Sequence, residues 1–293
     1  SDVSSQTDKI TYATSTTSRL PGSNLNNPMY GGMGMSSLVA MYAGGGPNVP
    51  GTNPNQTTVR KLTYSTGSWA VLPTALSGLK AEPKQSTQAV GDGVNFGYYF
   101  GGVNAMTGSP RTSYTQKYTF AYDTSERIPG ANLSYDFYGA TAAGNQEKAY
   151  VTGGNIGSSS SFSTNVSKFT YSDETMAGLP GLRLSDDKYK GTGEAAAANN
   201  QYIWYAGGSQ TNPQGGALIG QTTVSRIDMS ADTIQESLPS TQLTYPTFKH
   251  GGVDNGSDGY FAGGNSWNGP SPGGPYSSAN KLTFSNGTMA ATP

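Results

Sequence analysis

The sequence predicts an all-β protein: a β-propeller of four-stranded antiparallel blades, five complete and one half, in a ring of five or six. Three observations carry that prediction. First, a basic residue opens a short alternating strand six times, at Lys9, Lys61, Lys117, Lys168, Arg226 and Lys281. A proline closes each unit 12 residues later, except in the fifth copy, where the step is 13. Second, a polar turn and an apolar strand ending in Gly-Gly lie between successive copies, closing at Gly44-Gly45, Gly101-Gly102, Gly153-Gly154, Gly207-Gly208 and Gly263-Gly264. Third, the basic residues recur every 51 to 58 residues. That spacing holds four short strands, and self-similarity at such a period belongs to propellers.

The third period shows how one blade is written. Tyr138 to Ala143 is small and mostly apolar, as a strand at the crowded centre of a ring must be (strand a). Asn145-Gln146 turns the chain into Ala149-Tyr150-Val151-Thr152 (strand b), closed by Gly153-Gly154. A Ser-rich loop leads to Lys168-Phe169-Thr170-Tyr171 (strand c), and a short turn to strand d, expected to end at Leu179-Pro180. Strand c alternates: positions one and three are polar, two and four apolar, so the apolar pair faces a neighbouring blade. Ser or Thr stands seven residues after the basic residue in all six copies: Thr16, Ser68, Thr124, Thr175, Thr233 and Thr288. Thr66-Gly67 and Asn286-Gly287 supply the positive φ that a tight hairpin needs. Proline at the end of strand d fits an outer edge, where no ladder donor is required. Tyr99 and Tyr150 are expected in the core.

The b strands Met41-Tyr42-Ala43-Gly44-Gly45, Tyr98-Tyr99-Phe100-Gly101-Gly102, Tyr150-Val151-Thr152-Gly153-Gly154, Tyr205-Ala206-Gly207-Gly208 and Tyr260-Phe261-Ala262-Gly263-Gly264 resemble kelch repeats. Strand d departs from that pattern, because only Trp69 matches the Trp usual there. The combination of Lys-apolar-Thr-aromatic-Ser, Leu-Pro and Tyr-Phe-Gly-Gly is similar to long repeat proteins that serve as structural proteins of tailed phages of marine cyanobacteria. The resemblance covers the whole chain and implies a kelch-like fold and a virion role.

One domain, 1–293, is expected, with repeats near 35–73, 87–129, 137–180, 192–239 and 247–293, and a half blade at 9–21. The orphan half blade leaves three readings: a fragment of a longer array, a ring completed by strands from elsewhere, or a hairpin covering an edge. Unpaired edges invite partners, so residues 9–21 are expected to mark a junction, with self-assembly through this hairpin as one form of it.

Composition excludes several functions. The net charge is −1 and charged residues make up 12% of the chain, so no basic stripe exists to neutralise a nucleic-acid backbone. No apolar run approaches the ~18 residues of a membrane-spanning helix. No signal-peptide pattern is visible, and the chain opens at Ser1 rather than Met, as a processed product would. The chain has no Cys, which removes disulfides, thiol catalysis and thiolate-bound metals. Low charge, abundant Gly, Ser, Thr, Asn and Tyr, and no Cys together match bacterial surface and virion proteins.

Catalytic groups are scarce, and no catalytic residue, metal ligand or cofactor is assigned. His250 is the sole His. It precedes Gly251-Gly252 at an inner strand, where a structural role is expected. A Ser-His-Asp arrangement would have to pass through it, and no Gly-x-Ser-x-Gly elbow supports one. Kelch-type copper oxidases use two His and a Tyr crosslinked to Cys, which one His and no Cys exclude. Ser65-Thr66-Gly67-Ser68-Trp69 resembles a sialidase turn but lacks its Asp. Asp254-Asn255-Gly256-Ser257-Asp258-Gly259 alternates oxygen ligands as a Ca²⁺ loop does, but it falls where the other repeats turn from strand a to strand b.

Recognition is expected in the long b–c loops, which share one face with the d–a connections. Their candidates for a protein or glycan partner are Phe162, Ile219, Trp267 and Tyr276, Trp267 being best suited to stack on a sugar or a protein surface. The expected function is a non-enzymatic structural or adhesive component of a virion or cell surface, located on a virion or outside the cell. Its partners would be other virion or surface proteins, or a host glycan. The alternatives are an extracellular carbohydrate-binding module and a glycan-active propeller enzyme.

Overall fold

The structure is a computed structural model. It describes residues 6–20, 22–25, 33–44, 58–75, 84–85, 88–104, 112–137, 139–156, 163–184, 195–211, 218–236, 238–247, 250–267, 272–275 and 277–292. Two compact units result: Ser1–Tyr138 with Phe169–Ala177, and Gly139–Lys168 with Gly178–Pro293. The third blade gives its c–d turn to the first unit and the rest to the second.

In the first unit, the hairpin Asp8–Thr11/Thr16–Arg19 precedes two complete antiparallel sheets. Blade 1 runs Met33–Ser36, Ala40–Gly44, Thr58–Thr63 and Ser68–Ala75 as strands a to d. Blade 2 runs Gln88–Gly91, Phe96–Phe100, Thr115–Thr119 and Thr124–Ile128. Blade 3 runs Thr141–Gly144, Lys148–Thr152, Asn165–Thr170 and Thr175–Arg183. In the second unit, blade 4 runs Ala195–Ala198, Tyr202–Ala206, Leu218–Asp228 and Thr233–Gln235. Blade 5 runs Gly251–Asp254, Asp258–Ala262, Ala279–Thr283 and Thr288–Thr292.

Two strand ends differ from the sequence reading. Strand d of blades 1 and 3 continues past Pro73 and Pro180, because a proline on an outer edge removes no ladder donor. Strand a of blade 3 begins at Thr141 rather than Tyr138. Phe137 ahead of it bridges to Thr112 and is fully buried.

Small residues let the inner strands crowd together. A Cβ on Gly91 would come within 2.9 Å of the Ser36 carbonyl, and one on Gly252 within 2.3 Å of the Ala196 carbonyl. The core is built where an aromatic of strand b stacks on the fourth residue of strand c in the next blade. Tyr42 lies 4.8 Å from Phe120, Tyr98 lies 5.1 Å from Tyr171, and Trp204 lies 4.4 Å from Phe284. Tyr99 and Tyr150 are both buried. Each such ring removes a large apolar area from water, the main source of stability in a chain with no crosslink.

Candidate interaction face

The turn between strands c and d has one backbone solution. The residue six after the basic one is left-handed in all six copies: Ser15, Gly67, Asp123, Glu174, Asp232 and Gly287, with φ between 50° and 66°. Gly67 and Gly287 suit that region because they lack a Cβ. The carboxylates of Asp123, Glu174 and Asp232 are instead taken up by the strand-c lysine of the preceding blade. Lys61 meets Asp123 at 3.4 Å, Lys117 meets Glu174 at 2.5 Å, and Lys168 pairs with Asp232. Tyrosine hydroxyls join: Tyr98 donates to Glu174 at 3.4 Å, Tyr118 to Asp123 at 3.3 Å, and Tyr150 to Asp232. Burial pushes the Tyr98, Tyr118 and Tyr150 hydroxyls well up, and the neighbouring carboxylates add to that, so all three remain donors. Burial also raises the Asp232 carboxyl, but the hydrogen bonds from Lys168 and Tyr150 outweigh it and leave the group below its ordinary value.

This latch was missed in the sequence. Its trace is an acid at the sixth position of copies three, four and five. The latch is absent between blades 4 and 5, where Trp204 and Arg226 replace Tyr and Lys and Gly287 replaces the acid. There Arg226 bonds Gln235 at 2.8 Å within its own blade. In blade 5, Lys281 turns to Asp258 of its own sheet at 3.2 Å.

The Gly-Gly pairs have a second purpose. Both glycines are left-handed wherever both are described: Gly101 and Gly102, Gly153 and Gly154, Gly207 and Gly208, Gly263 and Gly264. In blade 2 a ring covers the pair: a Cβ on Gly101 would lie 2.9 Å from the Phe137 ring, and Gly102 N donates to the Phe137 carbonyl at 2.9 Å. In blade 4 His250 takes that place, with its Cε1 2.6 Å from a Cβ on Gly207. Nε2 of His250 is sealed from solvent and finds no hydrogen-bond partner of good geometry among the described residues, although part of the residue's surface remains accessible. Burial pulls the imidazole down to about 4, the Ala206 backbone only partly offsetting it. This His is a neutral packing ring.

The b–c loops are not wholly irregular. Ser209–Thr211 pairs with Leu218–Gly220, and Asn265–Trp267 pairs with Pro272–Pro275. Lys84–Gln85 of a d–a connection pairs with Val103–Asn104 of a b–c loop, and Gln242–Thr247 pairs with the start of strand c in blade 4. The b–c and d–a segments therefore do share a face in each unit. Ile219 lies opposite Gln210, Trp267 lies opposite Pro272, and the strands carrying the two candidates are neighbours. Phe162 and Tyr276 lie outside the described residues. Among the described residues no group of three or more His, Asp or Glu could hold a metal ion. The Asp254–Gly259 segment is the a–b turn of blade 5, with Asn255 Oδ1 accepting from the amides of Ser257 and Asp258.

The opposite face holds a feature the sequence reading passed over. In the first unit the a–b turns expose Leu38 at 74%, Val39 at 66% and Val94 at 47%. A bridge from Ser37 to Gly93 sets the two turns side by side. The corresponding turns of the second unit use Asn145, Asn199 and Asn255, each accepting backbone amides of its own turn.

No family model and no curated protein matches the sequence. Among solved structures the chain is similar to YjhT, a kelch-type β-propeller protein, with a TM-score of 0.76 over 99% of this chain and 91% of that one. The chain is a β-propeller. It has five blades of four antiparallel strands and an N-terminal hairpin. Sequence identity with YjhT is 12%, so the likeness concerns the fold alone.

Proposed function

We propose that this propeller is a non-enzymatic structural or adhesive component of a virion, that of a tailed phage, or of a bacterial cell surface. It presents its b–c and d–a segments to a neighbouring protein or a host glycan. The observation that carries this reading is where the charged and titratable groups are. Lys61, Lys117 and Lys168 and their acids fasten one blade to the next, Lys281 is held by Asp258, and the sole His is a neutral packing ring. Successive blades from the first to the fourth are thus fastened, and variable segments on a rigid scaffold are where recognition resides. Low charge and abundant Tyr, Ser, Thr and Asn support a surface or virion location.

The test is the particle mass of native material by light scattering, with cryo-EM images of the same sample. A large, regular assembly is the expected result. A clean monomer near 30.4 kDa would contradict the structural reading and favour a carbohydrate-binding module, which a glycan array would then examine.

A further inference from the structure

The N-terminal hairpin repeats half of a blade and carries the edge of the missing half. Strand c of blades 1, 2, 4 and 5 pairs with strand b on one side and strand d on the other, in one register. The basic residue stands opposite an aromatic: Lys61 opposite Tyr42, Lys117 opposite Tyr98, Arg226 opposite Trp204, Lys281 opposite Tyr260. Asp8–Thr11 is the same strand, yet among the described residues it pairs with Thr16–Arg19 alone.

Which backbone groups face the unused edge follows from the complete blades. The residue three after the basic one donates its amide to the a–b turn: Tyr64 to Val39, Phe120 to Asn95, Met229 to Gln201 and Phe284 to Ser257. With a period of two, the residue one after the basic one points the same way. In the hairpin that residue is Ile10, and the backbone of Asp8 points there too. Their amides and carbonyls are a template for strand addition. Side chains agree. Leu62, Tyr118, Ile227 and Leu282 are buried under a strand b, whereas Ile10 is only half-buried and Lys9 is exposed.

We infer that the edge of Asp8–Thr11, unused among the described residues, is a strand-addition site for an a–b hairpin of the same repeat type from outside residues 1–293. Its second strand would place an aromatic opposite Lys9 and end in Gly-Gly. A second copy of residues 1–293 would have to break a blade to supply it, because each a–b hairpin among the described residues is already paired with its own strand c. The inference extends the proposed assembly role but is tested apart from it: particle mass reports on the role, Ile10 on the edge.

The probe is a synthetic peptide with the sequence of residues 139–154, a complete a–b hairpin of this chain, added in excess to the folded protein. The readout is hydrogen exchange resolved to single amides. Exchange at Ile10 should slow about tenfold or more, with no change at Leu62 or Leu282. A peptide carrying Tyr150→Ala should lose most of the effect. Ile10→Pro removes the donor on this edge while leaving the Lys9 and Thr11 pairing to Thr16–Arg19 intact, and should abolish the peptide-induced slowing at Asp8, the next amide on the same edge. Asp8→Pro does the same one pleat away if Ile10→Pro fails to fold. No slowing at saturating peptide, or slowing that survives either proline, overturns the inference. So does prior protection of Ile10 in a particle of twice the chain mass, since a second copy would then be the occupant.

Discussion

Strand c occurs six times in this chain, and its first copy differs from the others in that, among the described residues, no strand b lies beside it. The turn that follows is unchanged. Ser15 holds φ at 52°, within the 50° to 66° range of the other five. Burial is what changes. Ile10 remains half-exposed where Leu62, Tyr118, Phe169, Ile227 and Leu282 are enclosed. The c–d hairpin is therefore set locally by its turn, whereas its contribution to the core depends on its neighbour. Trp69 of blade 1 still anchors the hairpin, donating from Nε1 to Thr7 at 3.0 Å.

The largest effect that would break this comparison is a core truncation in a complete hairpin. Phe169 packs against Tyr98, Phe100 and Tyr171. Phe169→Ala should cost about 3–5 kcal/mol in denaturant unfolding. Ile10→Ala, the same change of role in the half blade, should cost about 1 kcal/mol. Equal losses would mean the hairpin is as enclosed as a full blade.

A second test concerns a junction shown in blades 2 and 4, the ring over Gly-Gly. His250 is neutral inside, with its imidazole at about 4 against an ordinary 6.5. The unfolded chain takes up a proton near 6.5, so this stability is present above that pH and is lost as pH falls toward 4. The loss amounts to about 3 kcal/mol. His250→Phe copies the Phe137 arrangement of blade 2 and should flatten the stability profile between those pH values. An unchanged profile would show that His250 is not enclosed.

The smallest effect sharpens the claim that the turn is local. Asp232 is left-handed and ion-paired, whereas Gly287 is left-handed and unlatched. Asp232→Gly should stay within about 1 kcal/mol of the parent, since the pair it removes is partly solvated. Asp232→Val should cost about 1–2 kcal/mol more than the glycine variant, because a branched side chain resists that backbone. If the two variants unfold alike, strain at this position does not matter.

Periodicity made the blades legible, because a Lys-to-Pro unit and a Gly-Gly strand recur at fixed spacing and the alternation in strand c names its buried face. Gly67 and Gly287 announced the turn. Asp123, Glu174 and Asp232 hid it, since an acid at a turn ordinarily reads as solvated; its lysine partner lies about one period away in sequence. The Phe137 and His250 covers were hidden for the same reason, since contact between blades is not local. The candidates on the b–c loops were chosen by residue type. Ile219 and Trp267 fall on neighbouring strands, while the exposed Leu38, Val39 and Val94 escaped notice because a turn was expected to be polar.

Single-residue hydrogen exchange on the chain alone tests the central claim most directly. The amides of Ile10, Leu62, Tyr118, Ile227 and Leu282 occupy one equivalent position, each aimed at the strand-b side. The account expects Ile10 to exchange at least about tenfold faster than the other four. Protection of Ile10 equal to theirs, in a monomer, would contradict it: the hairpin would then already have its strand b, and no edge would be left to fill.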